Sequence, residues 1–217
     1  MPFTIFIKRQ NFNIMTCIFC SNETNDRNLY ETKNFVVKVG KGIITAGHIM
    51  IIPKHHYKAI GEIDDNLIDE YLDLKNKVIE KITKTFAEPF LIEYGAYGQS
   101  VFHAHIHLIP KTGNGYKNVD LYKEMILPSK TTTIQINNFN ELKSYYLKHK
   151  EYIYFEDKNK YILPITDIIR NNLGLVGYRT YFDKLGLKGI RSWADMTDED
   201  IKNDILKVEE TKQKLKF

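Results

Sequence analysis

The sequence predicts an α+β fold, in which a largely antiparallel sheet packs on one long helix and a small α+β extension follows. Two β-branched runs, Phe35 to Val39 and Ile49 to Ile52, predict a β-hairpin or meander, because the glycines between them favour turns. Two later runs, Phe90 to Glu93 and Val101 to Ile109, predict strands joined by a glycine-containing loop. The glycines of the two connections are Gly40, Gly42, Gly47, Gly95 and Gly98.

The predicted long helix lies between these two pairs of strands. Asp64 is placed to cap it, and Pro89 ends it because proline cannot continue a helix. Between them, apolar residues recur at the three- and four-residue spacing of one helix face. These residues are Leu67, Ile68, Tyr71, Leu74, Val78, Ile82 and Phe86.

A change of pattern divides the chain near residue 125. Lys111 to Tyr116 is rich in turn-forming residues, and Pro128 to Thr133 is typical of a linker. We therefore expect an N-terminal extension over residues 1–14, a first domain over 15–125 and a C-terminal α+β extension over 126–217.

The C-terminal extension is predicted to contain three helices and two strands. Its last helix is opened by Thr197, with Asp200 in place of the usual glutamate of a capping box. Ile201, Ile205 and Val208 give this helix an apolar stripe, while its other faces are rich in lysine and glutamate. The other elements are a helix near Asn140 to Lys150, strands at Tyr152 to Phe155 and Tyr161 to Leu163, and a helical stretch containing Ile168, Ile169 and Leu173.

The composition is that of a folded globular protein, with 217 residues of which 43% are hydrophobic and 27% charged. The net charge of +4 suits a phosphate-bearing ligand. It is smaller than the charge typical of nucleic-acid-binding proteins, but it does not exclude nucleic-acid binding. No apolar run is long enough for a membrane span, and Met1 to Gln10 lack the sustained apolar core and the cleavage site of a secretory signal. Met1 to Ile14 are expected to be a short extension, with a chain that starts at Met15 as the alternative. Two closely spaced cysteines favour a reducing compartment, so we expect a cytoplasmic protein.

The most informative stretch carries His103, His105 and His107 at alternate positions of the predicted strand. Alternation places the three imidazoles on one face, although histidines that merely decorate a strand remain an alternative. A neutral imidazole can attack phosphorus with one nitrogen while the other donates its hydrogen to a backbone carbonyl or a neighbouring group. Backbone amides of the loop from Gly95 to Ser100, which includes Gly98, would be useful donors to the phosphate.

His-x-His-x-His followed by two apolar residues closely resembles the signature of the histidine-triad family. The segment Gly47-His-Ile-Met-Ile-Ile-Pro-Lys-His-His56 is similar to the family strand that ends in a Pro-Lys-x-His turn, and Glu93-Tyr-Gly95 is similar to its Glu-His-Gly element. The resemblance covers roughly residues 17 to 112.

This resemblance implies roles for several residues. His105 would be the nucleophile, His107 would bind and orient the phosphate, and His103 would complete the triad. Gln99 and Ser100 match phosphate-contacting positions, and His48 matches a histidine near the active site, with an ordinary polar strand residue as the alternative.

The activity implied by the resemblance is hydrolysis of a nucleoside 5′-phosphoryl ester, anhydride or phosphoramidate through a nucleotidyl-histidine. Transferases or phosphorylases of the family have glutamine in place of the third histidine, so His107 favours a hydrolase. A nucleotidyltransferase and a non-catalytic nucleotide- or RNA-binding module remain alternatives. The ligand would be a nucleotide or a nucleotidylated small molecule, and the resemblance implies a homodimer unless the C-terminal region covers the dimer surface.

Cys17 and Cys20 have the spacing of a metal-binding knuckle, with a redox pair or two inert thiols as alternatives. Two thiolates cannot close a tetrahedral site, so two nitrogen ligands are needed. The resemblance implies that His56 and His103 supply them and that the ion is a structural zinc; the neighbouring His55 is an alternative ligand.

The chain also departs from the family pattern. Many nucleotide-binding members have an acidic residue eight positions before the histidine that matches His48, where it holds the ribose, and here that position is Gly40. Arg170 and Arg179 are candidates for phosphate contact, with solvated surface arginines as the alternative. Trp193 could stack on a base or pack in the C-terminal region.

Overall fold

The protein folds around one eight-stranded sheet in which every pairing is antiparallel, as seen in a computed structural model that describes residues 17–21, 23–112, 120, 122–127, 130–172, 177–179 and 196–217. The spatial order of the strands is β1-β2-β3-β5-β4-β7-β8-β6. The strands are β1 Asn28–Glu31, β2 Phe35–Val39, β3 Ile49–Pro53, β4 Pro89–Glu93, β5 Ile106–Pro110, β6 Ile134–Ile136, β7 Ile153–Glu156 and β8 Lys160–Leu163. The predicted α+β class with an antiparallel sheet is confirmed.

Four helices accompany the sheet in the described part of the chain. They are α1 Ile68–Thr85, α2 Phe139–His149, α3 Asp167–Asn171 and α4 Asp198–Lys214. Short 3₁₀ turns cover Asn25–Arg27, Ile60–Glu62 and Asp65–Leu67, and a π turn covers Tyr122–Ile126. None of the helices described is both long and apolar enough to cross a bilayer.

The long helix α1 covers one face of the sheet. Its buried face carries Tyr71, Leu74, Val78 and Ile82, as the apolar periodicity predicts. Asp64 does not cap α1, which begins only after the 3₁₀ turn; its carboxylate instead accepts a 2.7 Å hydrogen bond from the Tyr57 hydroxyl. The predicted cap is therefore wrong, because the chain enters α1 through the 3₁₀ turn, which Asp64 precedes without a side-chain cap hydrogen bond.

The strand that carries the histidines is shorter than predicted. It begins at Ile106 rather than Val101, so His107 alone of the triad lies in a regular strand. Outside the ladder, the amide of His103 bonds the Val101 carbonyl at 2.8 Å, and the amide of Ala104 bonds the Tyr57 carbonyl at 2.7 Å. These loop hydrogen bonds replace the strand pairing that simple alternation assumes.

Beyond residue 125 the chain continues the same sheet. Strand β7 pairs with β4, and β8 and β6 follow at the edge. The predicted boundary at residue 125 stays a prediction. The predicted N-terminal extension over 1–14, the alternative start at Met15, Leu173 and Trp193 all lie outside the described residues.

The last helix packs differently from its predicted stripe. The capping box of Thr197 and Asp200 is present, but the side chains of Ile201 and Ile205 are 39% and 50% exposed. Asp204 and Thr211 are buried instead: Asp204 accepts the Ile43 amide at 2.8 Å, and Thr211 accepts the Gly47 amide at 2.9 Å. Of the predicted stripe only Val208 is buried, so the packed face of α4 combines that side chain with hydrogen bonds to the loop between β2 and β3.

Candidate active site and metal centre

A cavity of about 460 Å³ opens on the sheet face opposite α1. Its floor is a row of three residues in register on neighbouring strands, Lys38 on β2, Met50 on β3 and His107 on β5. Cross-strand partners point to the same face of a sheet, so the row lies on one surface. His105 and His48 line the cavity beside this row.

The ring of His105 is buried and held by the backbone of the residue two positions before it. Its Nδ1 lies 2.7 Å from the carbonyl oxygen of His103. Because a carbonyl can only accept, Nδ1 carries the hydrogen and Nε2 carries the lone pair. Within the described residues Nε2 has no hydrogen-bond partner, and the His107 ring lies with its centroid 5.0 Å away at 80°. This is the arrangement that a nucleophilic histidine requires.

His48 and His107 form a second oriented pair. Nδ1 of His48 accepts the Ile44 amide at 3.3 Å, so the hydrogen of the neutral ring lies on Nε2. That Nε2 lies 3.1 Å from Nδ1 of His107, to which it donates. The hydrogen of His107 is thereby placed on its own Nε2, which makes no hydrogen bond to the described residues and can donate to a phosphate oxygen.

Burial keeps this pair of rings neutral. It lowers the pKa of His48 well below its usual value, and the nearby Arg179 guanidinium lowers it further. Burial also lowers the pKa of His107 well below its usual value, with smaller contributions from neighbouring histidines and the same arginine.

The C-terminal region reaches into the site through Tyr178 and Arg179. The Tyr178 ring contacts His107 at a centroid distance of 5.3 Å, and its amide donates to the Tyr94 hydroxyl at 3.0 Å. Arg179 lines the cavity and donates to the Gly42 carbonyl at 2.8 Å. Arg170 pairs with Glu151 and is absent from the lining of this cavity. No pattern in the sequence indicated Tyr178, although its neighbour Arg179 was a candidate.

The predicted phosphate-binding loop is only partly at the cavity. Ser100 lines it, whereas Gly98 and Gln99 are not part of its described lining. Gln99 is buried, and its Nε2 donates to the Lys58 carbonyl at 2.7 Å while its Oε1 has no partner in the described part of the chain. The structure therefore gives Gln99 a contact with the backbone behind the site.

Cys17, Cys20, His56 and His103 converge beside the triad, with one ligand atom of each within 4.8 Å of the others. Nδ1 of His103 lies 3.4 Å from each sulfur, and Nδ1 of His56 lies 3.3 Å from the Cys20 sulfur. A tetrahedral zinc ion would separate sulfur and nitrogen ligands by about 3.5 Å. These four residues could hold a metal. His55 is not in the cluster, and its ring contacts Tyr57 instead.

Two contacts support the metal cluster and link it to the triad. Nε2 of His103 donates to the Pro53 carbonyl at 2.7 Å, which leaves Nδ1 free to ligate. Phe19, between the two cysteines, makes edge contacts with His103 and His105 at centroid distances of 5.8 and 5.4 Å. The pattern of cysteines in the sequence did not indicate this aromatic link.

Comparison with known proteins places the chain in a family. The HIT domain model matches residues 21–114. The protein named Protein hit from Bacillus subtilis is 35% identical over 107 residues, which cover 46% of this chain and 73% of that protein. The chain belongs to the HIT family.

Two other matches illustrate the range of the HIT family. Adenosine 5′-monophosphoramidase hnt1 from Schizosaccharomyces pombe is 30% identical over 105 residues, which cover 47% of this chain and 79% of that protein. The crystal structure of a zinc-bound histidine triad family protein from Mycobacterium smegmatis is 22% identical, covering 49% of this chain and 82% of that one with a TM-score of 0.41.

Proposed function

We propose that this HIT protein is a nucleotide hydrolase that forms a covalent nucleotidyl-histidine at Nε2 of His105. The observation that carries the proposal is the 2.7 Å contact between Nδ1 of His105 and the His103 carbonyl oxygen, which leaves Nε2 open in the cavity. Substrates would be nucleoside 5′-phosphoryl anhydrides, esters or phosphoramidates. Kinship with a protein named adenosine 5′-monophosphoramidase supports the last class.

In the first step, Nε2 of His105 forms a bond to the 5′-phosphorus as the bond from phosphorus to the leaving group breaks. The leaving group departs with the electron pair and takes up a proton. His105 then carries a positive charge, which its Nδ1 hydrogen shares with the His103 carbonyl oxygen. In the second step, water attacks phosphorus, the P–N bond breaks and its electrons return to Nε2. The proton lost by water balances the proton gained by the leaving group.

His107 supports both steps by binding phosphate oxygen. Its Nε2 hydrogen is fixed by the chain of donors from the Ile44 amide through His48. Phosphoryl transfer depends mainly on positioning and on neutralising charge at the equatorial oxygens, which a fixed donor serves without reorganisation. Arg179 adds a positive charge at the same cavity.

We further propose that the cluster of Cys17, Cys20, His56 and His103 holds one structural zinc ion. Two thiolates and two imidazoles at these separations suit zinc with no ligand position left open. Bound zinc would supply a cross-link rather than chemistry at phosphorus. It would tie the segment that carries Phe19 to the loop that precedes β5, and so hold the backbone that orients His105.

The activity is tested by turnover of a panel that contains adenosine 5′-phosphoramidate, its guanosine counterpart and an adenylyl anhydride. We expect His105→Ala to reduce turnover by at least about a thousandfold with an unchanged melting temperature. His149→Ala is the matched control, because His149 is exposed at the end of α2. Full activity of His105→Ala would overturn the proposal, and turnover that requires added phosphate would reassign the protein as a transferase.

A further inference from the structure

The cavity extends beyond the triad to a buried lysine. Lys38 is only 3% exposed, lies two strands away from His107 in the same row and lines the same cavity. Neighbouring strands are about 4.8 Å apart, so the two backbones are separated by about 10 Å. Met50 lies between them.

The ammonium group of Lys38 has unused donors. Its one hydrogen bond to a described residue is to the Thr24 hydroxyl at 2.6 Å, and it forms no ion pair within the described ranges. An ammonium has three N–H donors, and a buried charge is ordinarily paired. Glu31, on the neighbouring strand, is instead paired with Lys54 at 2.8 Å. Burial lowers the pKa of Lys38, and this effect outweighs the carboxylates of Asp26 and Glu31, which raise it without forming an ion pair with the ammonium.

The surroundings of Lys38 are also positive. Arg27 and Lys41 line this end of the same cavity, and among its described lining residues Glu23 is the sole carboxylate. The Arg27 guanidinium donates to the Gly40 carbonyl at 2.5 Å and lies 3.8 Å from Asp204. This end of the cavity therefore carries more cationic than acidic side chains in its described lining.

Gly40 lies at this end of the cavity, at a position where a side chain could be accommodated. A Cβ atom there would meet Met50 at 3.4 Å and Ile43 at 3.6 Å, which are ordinary contacts. The backbone of Gly40 is not in the left-handed region either, so neither space nor conformation demands glycine. A side chain could therefore begin at this position, and glycine places no carboxylate there.

We propose that Lys38 binds a second phosphate on the ribose, so that the preferred substrates are derivatives of nucleoside bisphosphates. This inference rests on the proposed function, which places the 5′-phosphorus at His105. The nucleoside then lies over Met50, and an anionic group on its ribose meets the ammonium of Lys38. The same chemistry could come from a small bisphosphate or from the 5′ end of an oligonucleotide.

The test is calorimetric binding of adenosine 5′-monophosphate, adenosine 3′,5′-bisphosphate, its 2′,5′ isomer and a 5′-phosphorylated diadenylate. We expect one of the two bisphosphates to bind about tenfold more tightly than the monophosphate, because a charge-assisted contact is gained. Lys38→Met should abolish that difference, and Gly40→Asp should reduce it. Lys33→Met, an exposed lysine just before β2, is the matched control that should retain it.

Tighter binding of the bisphosphate than of the diadenylate identifies a small-molecule substrate, and the reverse identifies an oligonucleotide end. Equal binding of monophosphate and bisphosphates to the wild-type protein would overturn the assignment of Lys38 and leave the proposed hydrolase standing. A preference that survives Lys38→Met would also overturn it. Failure of every nucleotide to bind would overturn the hydrolase as well.

Discussion

Nε2 of His48 lies 3.1 Å from Nδ1 of His107, and this hydrogen bond sets which nitrogen of His107 faces the cavity. His48 is itself set by the Ile44 amide, so the orientation of the phosphate-binding hydrogen begins at the backbone. His48 is therefore a positioning residue that acts through His107.

Replacing His48 tests this relay. His48→Leu removes both hydrogen bonds, so we expect kcat to fall by about tenfold with little change in KM. His48→Gln keeps an acceptor for Ile44 and a donor for His107, and it should restore part of the loss. A purely structural role would predict equal kcat for the two folded variants, and that result would contradict the relay.

Removal of the metal ligands tests the zinc centre without reference to activity. We expect the wild-type protein to retain about one zinc ion per chain after dialysis, measured by atomic emission. Cys17→Ser and His56→Ala should lose it and melt at a lower temperature, because metal binding stabilises the folded chain. His55→Ala should keep it, since the ring of His55 lies outside the cluster. Zinc retained by Cys17→Ser would count against the site.

Glu93 makes the stability of the fold depend on pH. It is fully buried between the Ile60 amide and the Tyr152 hydroxyl, both at 2.6 Å, and burial raises its pKa from 4.5 to about 7. Between these two values the folded chain binds more protons than the unfolded chain, so stability falls as pH rises. The shift corresponds to about 3 kcal/mol in total.

The Glu93→Gln variant separates this effect from other titrations. Urea unfolding at several values between pH 4.5 and 7.5 should show a wild-type free energy of unfolding that decreases relative to the variant as pH rises. A constant difference between the two proteins across this range would show that Glu93 ionises normally.

The docking of α4 on the loop between β2 and β3 gives a stability prediction. Asp204→Ala leaves the buried amide of Ile43 without its acceptor, which should cost about 1–3 kcal/mol of unfolding free energy. Ile205→Ala, on the exposed face of the same helix, should change stability by less than about 0.5 kcal/mol. Chemical denaturation of both variants measures this, and a larger loss for Ile205→Ala would restore the predicted apolar stripe.

Residue type and periodicity predicted most of the fold, because β2 and β3 are β-branched runs that are buried throughout and α1 buries one regular face. The β-branched runs became β2 and β3, and the apolar spacing predicted the buried face of α1. The apolar stripe predicted for α4 is buried only at Val208. The rest of the packed face carries Asp204 and Thr211, which accept hydrogen bonds from backbone amides, and hydrophobic spacing does not reveal such contacts. The predicted start of β5 was wrong because the amides of His103 and Ala104 donate to the Val101 and Tyr57 carbonyls instead of pairing with a neighbouring strand.

The sequence also predicted the histidines and cysteines that cluster in the structure, because their spacing in the chain is unusual. It did not indicate Tyr178 or Lys38 as parts of the site. Tyr178 lies far along the chain from the triad, and its amide donates to the Tyr94 hydroxyl. No local sequence pattern indicates such a tertiary contact. Lys38 is an ordinary residue type in a strand, and its significance depends on the register that aligns it with Met50 and His107.

Covalent catalysis by His105 can be tested by measuring the intact mass of His107→Ala after mixing with adenosine 5′-phosphoramidate. Loss of the phosphate-orienting donor should slow hydrolysis of the nucleotidyl-histidine. We therefore expect the protein to gain the mass of one adenylyl group. The adduct should be absent when His105 is also changed to alanine. An adduct that persists without His105, or turnover by the double variant, would show that His105 is not the nucleophile.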